Sequence, residues 1–161
     1  MPGILIIGYG NALRGDDAVG LHAARELERY FHNDAQVEVI ACQQLTPELA
    51  DDISRSDLVL FLDASHDGEP GTVKCKSIVP SNTPVGFTHD LDAAALVAAA
   101  EQLYGDVPRA FVITLAGWSF EMKSQLSRGT QLRLPELVHQ AKQLVVDYRR
   151  SFLTAADTLS R

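Results

Sequence analysis

Two short runs most constrain what this chain can fold into: Ile4-Leu5-Ile6-Ile7 and Leu58-Val59-Leu60-Phe61-Leu62, neither broken by a polar residue. A strand with one wet face alternates in polarity, whereas an unbroken apolar strand must be covered on both sides. Between and after these runs the periodicity is helical. Val19, Ala23, Leu27 and Tyr30 share one face, with Arg25, Glu26, Glu28 and Arg29 away from it. Val37–Ile40 reads as a second strand, Pro47 opens a short helix to about Ile53, and Gly71–Lys76 alternates like a half-exposed edge strand. Leu91–Leu103 is an Ala-rich helix and Ala110–Ala116 another apolar strand. Leu134, Leu137, Ala141, Leu144 and Tyr148 line a last helix with Pro135 in its first turn. The expected architecture is a three-layer α/β fold in which a mainly parallel, twisted sheet of about five strands is covered by helices on both faces. Ligands of such a sheet lie beyond the carboxyl ends of its strands.

The 161 residues are expected to form one domain, 1–161, with frayed carboxyl-terminal residues; at this length about 70% of the unfolded surface is buried in one core. With 21 acidic against 14 basic residues, net charge −7, no broad basic field exists to hold nucleic acid. The start, Met1-Pro2-Gly3, has no basic region, and the apolar run behind it stops at Gly8, shorter than a signal peptide or a membrane span. Residues 4–7 are therefore expected to belong to the fold. Cys42 and Cys75 have neither a metal-site spacing nor the numbers of a disulfide framework, which fits a reducing cytoplasm.

Gly8-x-Gly10 after the first strand invites a dinucleotide reading, but Leu13 stands where the third glycine belongs. Gly10 and Gly15 have the spacing of a phosphate loop, yet Asp16-Asp17 follows them and would repel a phosphate. Those carboxylates suit a cation. Spacing alone also allows Asp16 and Asp17 simply to cap a helix. Asp63, directly after five apolar strand residues, emerges at the sheet's carboxyl edge, where burial is costly unless it is paired or metal-bound; the plain alternative is a turn-forming Asp. His89 precedes Asp90-Leu91 at a helix start, where the dipole favours the neutral, metal-binding imidazole. His66 is the rival ligand, ranked second because Asp67, Gly68, Glu69 and Pro70 look solvated. No Gly-x-Ser-x-Gly elbow is present, and Cys42, at the end of the second strand, reads as a buried thiol, with a nucleophile as the lesser alternative.

The run Ile6-Ile7-Gly8-Tyr9-Gly10-Asn11-Ala12-Leu13-Arg14-Gly15-Asp16-Asp17-Ala18-Val19-Gly20 resembles the opening signature of the hydrogenase maturation endopeptidases. The similarity continues in order through Gln44-Leu45-Thr46-Pro47-Glu48-Leu49, Leu62-Asp63-Ala64 and Thr88-His89-Asp90-Leu91. Two places depart from it: Ala41-Cys42 stands where many members have Asp-Gly, and Gln125-Leu126-Ser127 where the family has Gly-Leu-Ser/Thr. The resemblance implies that Asp17, Asp63 and His89 are metal ligands and the catalytic centre, with Asp16 as a spare carboxylate for assistance. It also implies a cytoplasmic endopeptidase that removes the carboxyl-terminal extension from the nickel-loaded precursor of a nickel-iron hydrogenase large subunit. The nickel would arrive with that protein substrate, zinc or cadmium could take its place, and neither nucleic acid nor membrane is a partner. The same ligands would serve a non-catalytic nickel-sensing chaperone docked on the precursor.

Overall fold

The computed structural model describes residues 3–80 and 92–160. Five strands form one sheet: β1 (Ile4–Tyr9), β2 (Val37–Cys42), β3 (Leu58–Ser65), β4 (Val73–Ser77) and β5 (Arg109–Ala116), in the order β2-β1-β3-β5-β4. The first four of that order are parallel, and β4 closes the edge antiparallel to β5. The Gly71–Lys76 segment is thus at the edge, as expected, but the strand is Val73–Ser77 and its exposure does not alternate: Val73 is half-buried and Lys74 to Ser77 are exposed.

The alternate residues of the apolar strands explain the layers. Ile4, Ile6, Leu58, Leu60 and Leu62 face one core with α1 (Val19–Tyr30) and α4 (Arg128–Leu159), through Leu27, Leu137, Ala141 and Val145. Leu5, Ile7, Val59 and Phe61 face a second core with α2 (Leu49–Ser54) and α3 (Ala93–Tyr104), through Ile53, Leu96 and Val97. A run buried on both faces is the period-two geometry of a strand between two helical layers. Among the described residues, no helix is long and apolar enough to cross a membrane.

Three boundaries differ from the sequence expectation. Asp16 and Asp17 lie in a 3-10 turn, Gly15–Ala18, before α1 begins. The helix α4 starts at Arg128, not at Pro135, because Ser127 caps it by accepting from the Thr130 N–H; Pro135 sits inside, at the cost of one ladder bond. The same helix runs on to Leu159 past the edge of the core, where fraying was expected, and Tyr30 at the end of α1 is exposed instead of packed.

The chain steps from β1 out to β2 and then returns to place β3 on the other side of β1. The crevice between the carboxyl ends of β1 and β3 is therefore the switch point at which a doubly wound sheet takes its ligands.

Candidate metal centre

Asp17 and Asp63 meet at that switch point. After β1 the backbone turns at Gly10, whose φ of 151° and contact with the Asp17 carbonyl leave no room for a side chain. The turn then carries Asp17 back over the sheet edge, where the Asn11 N–H donates to its Oδ2 at 2.7 Å. Asp63 is near the end of β3, opposite Thr114 of β5, with its Oδ1 accepting from the Ala64 N–H at 2.8 Å. Both carboxylates line a cavity of about 380 Å³ shared with Tyr9, Asn11, Arg14 and Gln43. A larger cavity, about 800 Å³, lies between Tyr30, Asp34, Arg149 and Phe152 and holds no such convergence of carboxylates.

Burial pushes the Asp63 carboxyl up to about 6; the Asp17 charge adds to the rise, while hydrogen bonds from Tyr9 and Ala64 and the nearness of His66 oppose it. The Tyr9 phenol is itself raised, first by burial and then by Asp63, so it stays a protonated donor to that carboxylate. A buried carboxyl raised by burial and by a second carboxylate in the same cavity fits a divalent cation, which would relieve both burial and repulsion.

Asp16 goes the other way. It is fully buried, and its oxygens accept from the N–H groups of Trp118, Ser119 and Ser127, at 2.8, 3.0 and 2.7 Å, and from the Ser127 hydroxyl at 2.8 Å. Burial alone would raise its pKa, but these donors outweigh it and hold the carboxyl below its ordinary value. The carboxylate expected to assist catalysis is instead the anchor of the 117–127 loop. The departure at Gln125 is explained too: it does not adopt the left-handed backbone that would call for glycine, and Ser127 keeps its place on Asp16.

His89, with Asp90 and Leu91, lies outside the described residues. The rival, His66, is beside the site: its Nε2 stands 3.5 Å from Asp17 Oδ1, and its ring stacks on Phe120. Among the described residues no three His, Cys, Asp or Glu side chains form a closed ligand set. The Cys42 thiol is half-buried and raised by that burial, so it is not an activated nucleophile.

Sequence reasoning missed Tyr9, Ser127 and Phe120. Tyr9 carried a usable signal, being the polar end of an apolar strand at the ligand edge. Ser127 matches the hydroxyl position of the family's Gly-Leu-Ser/Thr, but neither it nor Phe120 carried a signal of its partner, since their roles depend on a loop more than one hundred residues from Asp16.

No protein-family profile and no curated protein matches the sequence. Solved structures do. The NiFe hydrogenase maturation protease HycI from Thermococcus kodakarensis superposes with a TM-score of 0.72 at 24% identity, over 88% of this chain and 91% of that one. The hydrogenase maturating endopeptidase HybD from E. coli superposes at 0.71 and 22%, over 92% and 93%. The fold is that of the hydrogenase maturation proteases. A third match, an endopeptidase from Escherichia coli, gives 0.68 at 23% identity over 86% and 89% of the two chains. The hydrogenase maturation protease fold is thus matched along nearly the whole chain.

Proposed function

We propose that this protein is a cytoplasmic endopeptidase that removes the carboxyl-terminal extension from the nickel-loaded precursor of a nickel-iron hydrogenase large subunit, with Asp17, Asp63 and His89 binding the metal. The observation that carries this reading is the convergence of Asp17 and Asp63 on one crevice, within a fold shared with proteases of that name. Two carboxylate oxygens and one imidazole suit nickel, zinc or cadmium and leave coordination positions for a substrate group. Bound there, the metal supplies Lewis acidity that polarises a peptide carbonyl or lowers the pKa of a water.

The chain's own residues do the positioning. Asn11 fixes Asp17 through its backbone N–H, Tyr9 and Ala64 aim Asp63, and Asp16 holds the loop that borders the site. The nickel is read as part of the substrate, so its presence marks a precursor ready to be cut. Incubation with nickel-loaded precursor tests the reading: a shortened product supports an endopeptidase, whereas a stable complex with intact precursor supports a nickel-sensing chaperone.

A metal preference follows from the donor set. Nickel, zinc or cadmium should raise the melting temperature more than magnesium at equal concentration, because imidazole-containing sites favour borderline metals over hard ones. Differential scanning fluorimetry checks this, and equal shifts for all four would contradict it.

A further inference from the structure

We propose that His66 is a metal donor acting with Asp17, so that the loop after β3 adds an imidazole beside the Asp17–Asp63 pair. The proposal rests on the metal-binding reading above but not on the peptidase reaction. His66 Nε2 and Asp17 Oδ1 stand 3.5 Å apart. That separation is longer than an ordinary N–H···O bond of about 2.7–3.2 Å. It does match two donors on one ion: ligand atoms about 2.0–2.2 Å from a tetrahedral metal lie roughly 3.4 Å from each other. The pair is therefore at ligand spacing, while Asp63 remains engaged with Tyr9 and Ala64.

The imidazole is exposed, at 60% of its side chain, yet it is not free to swing. Its ring lies on Phe120 with centroids 3.6 Å apart and planes 20° from parallel. Phe120 belongs to the loop that Asp16 anchors, and the Gly15 N–H adds a bond to the Lys123 carbonyl at 2.9 Å. Gly117 makes this arrangement possible, since a Cβ there would come within 2.7 Å of both Asp16 Cβ and Phe120 Cζ. One carboxylate of the Asp16-Asp17 pair thus holds the loop whose phenyl ring holds His66 against the other carboxylate. Support of this kind, acting on a ligand through its packing partners, fixes the direction of a donor atom before metal arrives.

The test uses the full chain, nitrogen-15 labelled and loaded with cadmium-113. A one-bond cadmium–nitrogen coupling should appear at His66 Nε2, and His66→Ala should weaken cadmium binding by about tenfold or more in calorimetry. Phe120→Ala, which removes no donor, should also weaken binding, with the metal-free melting temperature recorded to separate this from unfolding. Cadmium bound by His66→Ala with wild-type affinity, and no coupling at His66 in the wild type, would overturn the proposal while leaving the metal reading intact. Failure of the wild-type chain to bind cadmium at all would overturn both.

Discussion

Asp16→Ala will lower the unfolding free energy by about 3–5 kcal/mol, because it removes a wholly buried carboxylate that is the shared acceptor of three part-buried backbone N–H groups. The acceptor cannot be replaced locally: Trp118, Ser119 and Ser127 reach Asp16 across more than one hundred residues of sequence, and the Asp16 side chain is wholly enclosed. Asp16→Asn should be nearly as damaging, since its amide would turn donors toward donors. The neighbouring Asp17→Asn should cost little, because among the described residues Asp17 accepts a single backbone N–H, and it faces the cavity. The pH dependence has a definite sign. The Asp16 carboxyl is held below its ordinary value of 3.8, so its contribution is present above that pH and is lost as pH falls through the folded value. Urea titrations of wild type and Asp16→Asn should differ fully at pH 7 and converge in acid. An Asp16→Ala protein as stable as wild type at pH 7 would show that the 117–127 loop is held by something else.

Asp63→Asn should do the reverse in the metal-free protein, raising stability at pH 7.5 while abolishing tight metal binding. A buried carboxyl moved from 3.8 to about 6 is unfavourable when ionised. The shift corresponds to about 3 kcal/mol as an upper bound, at 1.36 kcal/mol per unit, so a gain of about 1–3 kcal/mol is expected. The penalty is complete above the folded value near 6 and has vanished below the unfolded value of 3.8, so the advantage of Asn should disappear on acidification. Asparagine has the same shape and keeps an oxygen to accept from the Ala64 N–H, so the fold should be undisturbed. Thermal unfolding at pH 7.5 and pH 4 checks both halves, with a shift of several degrees at the higher pH. A destabilised Asp63→Asn at pH 7.5 would mean that the charge is stabilising in the folded state. A site that keeps a destabilising carboxylate is what a functional demand for charge produces.

The divergent fates of Asp16 and Asp17 mark the limit of what was legible in the sequence. The layers were legible because burial on both faces leaves no polar residue in Ile4–Ile7 or Leu58–Leu62, and the observed sheet has both runs at its centre. Asp63 was legible for the same reason, as the first charge after an apolar strand. The acidic pair was not separable, since in a tight 3-10 turn adjacent side chains leave about 120° apart, which sends one into the protein and the other into the cavity. The start of α4 was misplaced because Pro135 is a stronger local signal than Ser127, whose capping geometry depends on the loop docked on Asp16. Tyr30 follows the apolar period of α1, but Phe31, just past the helix end, is the aromatic buried in the core, so periodicity alone could not tell packed from exposed.

The most direct measurement is mass-spectrometric analysis of a nickel-loaded hydrogenase large-subunit precursor after incubation with wild type, Asp17→Asn and His89→Ala, each shown by circular dichroism to be folded. Wild type should release the carboxyl-terminal extension, and both variants should leave the precursor at full length. Intact precursor with the wild-type protein, or normal cleavage by the folded Asp17→Asn and His89→Ala variants, would contradict a metal-centred endopeptidase.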